Sequence, residues 1–188
     1  MGHALNRFGN SRHLRGTTLR SLRWCALMPF TPFHLGPGAL FKAVGGHRFS
    51  FMVFGGAQVL MDIEPLVGMI QGSAVLHGYT HTLAGALLIG SVAGAIGKPV
   101  SAFVLKKLRM LHQPFTWLAA FTGAFAGTFS HLVFDALMHA DMRPWWPLAD
   151  HNGLLGLAPL GALHVACLAM AGIGGALVFV RAALAARL

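Results

Sequence analysis

An all-α bundle of about five helical segments plus a short interfacial helix, embedded in a membrane, is the fold class this sequence predicts, and three observations point to it. Only 10% of its 188 residues are charged, and the mean hydropathy is +0.64. Residues 79–97 carry no charge, 114–138 carry only Asp135, and 154–180 carry none. Each run suffices for a bilayer crossing, which takes about 20 mostly apolar residues. No stretch alternates polar with apolar as a half-buried strand does.

In chain order, residues 1–27 stand apart as a basic extension. Arg7, Arg12, Arg15, Arg20 and Arg23 occur there without an acid or an apolar h-region. The expectation is a disordered tail, either transit-like or upstream of a true start at Met28. Residues 28–188 form one membrane-embedded domain. Its first segment, about 32–44, is loosened by Gly36-Pro37-Gly38 and is long enough only to dip into a bilayer. The second runs from about 49 towards Asp62, with Met69 as its outer bound and Pro65 interrupting it. The third covers about 80–97, and the basic stretch 98–112 reads as the interfacial helix. The fourth covers about 115–139. A Pro/Trp/Asp/Asn-rich loop, 140–155, leads to the last, about 159–185. Gly90 with Gly94, Gly123 with Gly127, and Gly172 with Ala176 have the spacing that lets helices approach closely in lipid.

The formal charge of +9 and a pI near 11.2 fit topology and contact with anionic lipid better than nucleic acid. Threading the segments up and down collects Lys42, Arg48, Lys98, Lys106, Lys107, Arg109, Arg181 and Arg187 on one face. The positive-inside tendency makes that face cytoplasmic. The expected location is a bacterial or archaeal cytoplasmic membrane with the chemistry on its extracytoplasmic side. Cys25 and Cys167 are too few for a disulfide framework.

The five acids, Asp62, Glu64, Asp135, Asp141 and Asp150, all lie in or beside histidine-bearing clusters. An ionised group in hydrocarbon costs several kcal/mol, so their retention marks a site. Imidazole with carboxylate suits Zn²⁺, Mn²⁺ or Fe²⁺. His131, Asp135 and His139 are spaced four apart and share one helix face. The bland alternative is a buried His–Asp pair that holds a bundle together. His77 and His81 repeat the spacing without the glutamate of a protease motif. His81 is the better ligand, with Thr80 able to cap its helix, and His77 faces substrate or supports a ligand. Asp62 and Glu64 sit at i and i+2 at an expected helix end. His34 and His164 are lone candidates. Asp141-Met142-Arg143-Pro144-Trp145-Trp146 reads as a rim, in which Arg143 can meet an anionic group, while Trp145 and Trp146 read as interface anchors.

These clusters, in this order, resemble the predicted membrane-bound metal-dependent hydrolases of the YdjM-like group. The matching motifs are His34, Asp62-Ile63-Glu64, His77 to His81, and Ser130-His131-Leu132-Val133-Phe134-Asp135, over residues 28–160. That group is similar in motif order to zinc-dependent phospholipases C and single-strand nucleases. The resemblance implies that Asp62, His81, His131 and Asp135 hold one metal, with Asp135 bridging to a second and His34 helping; the helix face shared with His131 and Asp135 adds His139 as a candidate ligand. The chain departs where those enzymes have H-x-x-x-E, because Leu168 follows His164 at that spacing. Pro65 also stands where many members of the group have a histidine.

The expected activity is metal-dependent hydrolysis of a lipid or other interfacial phosphoester, with one or two Zn²⁺ ions and Glu64 as general base. Membrane lipids are the expected partners. The rivals are a metal- or proton-binding transport protein and a b-type haem bundle built on His81, His131 and His164.

Overall fold

A computed structural model describes residues 32–110 and 115–187. The extension 1–27, the Met28 opening and His112 lie outside these residues. Among the described residues all regular structure is helical. A 3-10 turn, Pro32–Leu35, leads into α1 (Gly36–Gly45), and another, Gly46–Arg48, leads to α2 (Phe51–Gln71). The turn Tyr79–His81 precedes α3 (Leu83–Lys107), followed by α4 (Trp117–Met138) and α5 (Leu160–Ala185). Helices α2 to α5 are long and apolar enough to cross a membrane. Helix α1, at ten residues, rises only about 15 Å.

Local sequence accounts for most helix ends. The hydroxyls of Ser50, Thr82 and Thr116 accept the amides of Val53, Gly85 and Ala119 at 3.2, 3.0 and 3.1 Å, each satisfying one orphan donor of a first turn. Pro37 lies in the first turn of α1, where its missing N–H costs nothing, so Gly36-Pro37-Gly38 begins that helix instead of loosening it. After α1, the Lys42 ammonium donates to the carbonyls of Gly46 and Phe49 at 2.8 and 2.9 Å. Arg181 on α5 donates to the Ala43 carbonyl.

Two expectations are corrected here. Pro65 does not interrupt α2, which continues to Gln71 and stops at Gly72 in a left-handed conformation (φ 70°). Proline leaves the carbonyl four residues back without its amide partner. That carbonyl, of Met61, has the Thr80 hydroxyl 3.1 Å away. The separate interfacial helix expected over 98–112 is instead the end of α3, which runs through Lys98 and Pro99 to Lys107. The Lys98 ammonium lies 4.5 Å from the centre of the Trp117 ring.

Helices α2, α3 and α4 pack on one another, while α5 packs on α1 and the turn before it. Gly123 and Gly127 place α4 against the backbone of α2, where an added Cβ would stand 2.3 Å from the Ser50 oxygen and 2.6 Å from the Phe54 oxygen. Gly90 and Gly94 lie under Phe125 and Phe121. On α5 the close approach is made by Gly174 against Ala39 and Leu40, whereas Gly172 faces open space. The bundle buries one apolar cluster of Val53, Ala57, Ala93, Ala120 and Ala124. A second contains Met61, Ala86, Leu132, Ala136 and Met142.

Candidate metal centre

Gly123, Gly127, His131 and Asp135 recur every fourth residue, so they form one stripe along α4. The two glycines bring that stripe against α2, and the next two turns carry the imidazole and carboxylate to Asp62. His81 arrives from the turn before α3, after the chain has passed the tip of α2 and come back. Asp62, His81, His131 and Asp135 each offer a donor atom within 4.8 Å of the others, a group able to hold a metal ion. None is more than 5% exposed.

His131 Nε2 lies 3.0 Å from Asp62 Oδ1, 3.0 Å from Asp135 Oδ2 and 3.2 Å from His81 Nε2. His81 Nε2 is 3.2 Å from Asp135 Oδ2 and 3.9 Å from Asp62 Oδ1. Tetrahedral zinc with ligand bonds of 2.0–2.1 Å sets its donors about 3.3 Å apart. The observed spacings bracket that value, so the donor set fits the ion in number, chemistry and separation. The two nitrogens are too close for a porphyrin to lie between them, which removes the haem alternative for this pair.

The tautomer of His81 is set from outside the cluster. Its Nδ1 is 2.9 Å from Thr80 Oγ1, which in turn is 2.6 Å from Glu64 Oε2. The Glu64 carboxylate, which only accepts, takes the Thr80 proton across the shorter distance. The hydroxyl oxygen therefore accepts from His81 Nδ1–H and leaves Nε2 bare. Glu64 also accepts the amides of Tyr79 and Thr80 at 3.0 and 2.7 Å. It does not join Asp62 in the cluster. On a helix that continues past Pro65, residues two apart point roughly 200° away from each other. Thr82, not Thr80, caps α3.

A second group, His77, Asp135 and His139, also has donor atoms within 4.8 Å of one another. The Asp135 carboxylate is divided between the two groups. Oδ2 faces His81 and His131, while Oδ1 lies 4.0 Å from His139 Nε2 and 3.6 Å from His34 Nε2. The His77 and His139 rings stack with centroids 4.0 Å apart. Asp141, read from sequence as part of a rim, accepts the amides of Leu76 and His77 at 2.9 and 3.1 Å and faces His77 Nδ1 at 3.0 Å. Burial raises its pKa, but these hydrogen bonds from His77 and the two amides outweigh it and hold the carboxyl well below the usual range. No local pattern marks this role, because the partners lie 64 and 65 residues apart.

His34 is buried beside the cluster, stacked on Phe134, with its carbonyl accepting Gln58 Nε2 at 3.0 Å. Burial pushes its pKa down to about 4 against the pull of Asp135. Burial likewise lowers those of His81 and His139. The other candidates stand apart. Arg143 is exposed, 3.7 Å from Asp150, and His164 packs against Phe33. Trp146 meets Tyr79 edge-on with centroids 5.4 Å apart. Comparison with protein-family models, curated proteins and solved structures found no match, so the resemblance to the YdjM-like group rests on the motifs alone.

Proposed function

We propose that this chain is a membrane-embedded, metal-dependent hydrolase that holds zinc with Asp62, His81, His131 and Asp135 and cleaves a phosphoester presented at the membrane interface. The observation that carries the reading is the convergence of two imidazoles and two carboxylates, nearly solvent-free, among helices of membrane-spanning length. An ionic hydrogen-bond network is the competing explanation for such a cluster. A network in which His131 carries the charge that offsets the acids makes that imidazolium donate through both nitrogens. His131 Nδ1 is buried without a hydrogen-bond partner. A charged donor left unpaired there costs more than the neutral N–H that remains when Nε2 serves a cation.

When bound, such an ion would anchor the centre, and it would act as a Lewis acid on a phosphoryl oxygen, or bring the pKa of a water towards about 7, only by expanding to a fifth ligand. The chain's own groups do the rest. Asp62 and Asp135 contribute two negative charges that select a divalent cation. Glu64, through Thr80, holds His81 with its lone pair turned inward. We assign Glu64 this positioning role in place of the general-base role expected for it, because its oxygens are turned to Tyr79 and Thr80 and it stands outside the metal-ligating group. Arg143, on the loop that also bears Asp141, is a rim cation suited to an anionic headgroup. A transport pathway is disfavoured by the apolar packing of Val53, Ala57, Ala93, Ala120 and Ala124 across α2, α3 and α4, since conduction needs polar groups through to the other face.

The test is metal analysis of detergent-purified protein beside Asp135→Ala, coupled to hydrolysis of a phosphodiester lipid in mixed micelles. Zinc in the wild type, its loss from the variant, and zinc-dependent hydrolysis are expected. A wild type that stays metal-free in micromolar zinc refutes the reading.

A further inference from the structure

We infer that His77, Asp135 and His139 make a second metal position beside the first, and that Asp141, which stands outside it, makes His77 a ligand by fixing its tautomer. The inference rests on the metal reading above and deepens it. An ionised carboxylate only accepts hydrogen bonds. With Asp141 facing His77 Nδ1 at 3.0 and 3.2 Å, the ring proton belongs on Nδ1, and Nε2 is the nitrogen left for a metal. A metal-ligating histidine ordinarily donates its other N–H to such a partner, which orients the ring and raises its basicity.

Asp141 also fixes the position of the ring, because its Oδ2 accepts the amides of Leu76 and His77. His139 is held with comparable economy just beyond the end of α4. Its amide donates to the Asp135 carbonyl at 2.8 Å, and its own carbonyl accepts Asn152 Nδ2 at 3.2 Å. The Oδ1 edge of Asp135, unused by His81 and His131, completes the set.

The two positions differ in kind. The first has four protein donors, all buried. The second has three, and its His139 side chain is 19% exposed. Three protein ligands with a coordination place to spare is the pattern of zinc sites that exchange water and substrate, whereas four is the closed, structural pattern. The phosphoester of the proposed reaction is therefore expected to meet the chain at the His77–His139 side.

Asp141→Asn tests this without removing the backbone contacts. The amide oxygen still accepts Leu76 and His77 N–H, while its NH₂ group, turned towards His77 Nδ1, can only donate. The imidazole proton then moves to Nε2 and blocks ligation, by the same tautomer logic that makes an Asp→Asn change so costly in a catalytic triad. Zinc and cobalt titrations of detergent-purified protein, read by calorimetry and by cobalt absorption, are expected to give two equivalents for the wild type. Asp141→Asn is expected to keep one equivalent at unchanged affinity and bind the other about 10- to 100-fold more weakly. Its metal-free thermal midpoint should match the wild type, which a merely structural role for Asp141 does not predict. Two wild-type-like equivalents in Asp141→Asn overturn this inference and leave the first centre standing, as does a single equivalent in both proteins. Loss of both equivalents shows a general structural role and overturns it too. A wild type that binds no metal overturns both readings.

Discussion

Replacing Gly127 by alanine tests whether the centre depends on the closeness of α2 and α4. A Cβ there meets the Phe54 carbonyl oxygen at 2.6 Å and the Ala57 Cβ at 3.2 Å, where ordinary contact begins at 3.4 Å. The Phe54 oxygen belongs to helix backbone and cannot rotate away, so α4 must retreat by roughly 0.8 Å to restore van der Waals separation. Overpacking of this order costs about 1–3 kcal/mol, offset by up to about 1 kcal/mol from alanine's better helix propensity. His131 lies one turn further along the same stripe, 3.0 Å from Asp62. The same retreat carries that spacing past the roughly 3.3 Å that zinc donors share. If about 1–2 kcal/mol of that strain is borne by the metal-bound state and relieved in the metal-free one, zinc affinity is about 5- to 30-fold weaker. Calorimetric zinc titration in detergent measures it, with Gly172→Ala, whose Cβ enters open space, as the control. Equal affinity in Gly127→Ala and Gly172→Ala would refute the argument that glycine packing sets the donor geometry.

Three further outcomes follow from the same geometry. Thr80→Val removes the hydroxyl between Glu64 and His81 and leaves His81 Nδ1–H without an acceptor. Zinc affinity should fall about 10- to 100-fold, and an unchanged titration curve would remove Glu64 and Thr80 from the account. The pKa of His34 is pushed down by burial to about 4 from an ordinary 6.5. Holding that ring neutral therefore stabilises the fold above pH 6.5, and the contribution is lost as pH falls from about 6.5 to about 4, by up to about 3 kcal/mol. Thermal melts of metal-free protein should show this acid loss and a shallower one in His34→Gln; identical slopes count against it. For orientation, a cysteine replacing exposed His151, with Cys25 and Cys167 removed, should react with an impermeant maleimide on intact cells, and one replacing Lys106 only after lysis. The reverse pattern would place the chemistry on the cytoplasmic side.

The sequence by itself determined the helical class and the residues that had to be explained. Long uncharged runs have one economical use, and acids kept among them must find partners. The face shared by His131 and Asp135 was legible as well, because helical spacing fixes which side chains lie together on a single element. Tertiary structure decided what depends on other elements. Whether Glu64 accompanies Asp62 turns on whether α2 survives Pro65. It survives in a setting where the Thr80 hydroxyl lies within reach of the carbonyl that the proline frees, and on a continuous helix Glu64 then points away from Asp62. Asp141 looked like rim because its amide and imidazole partners lie more than sixty residues earlier, beyond the reach of any local pattern. Gly172 and Gly174 are indistinguishable as sequence, yet only the second faces α1. Spacing tells which residues share a face, but which face meets which neighbour is fixed only when all the helices compete for the same contacts.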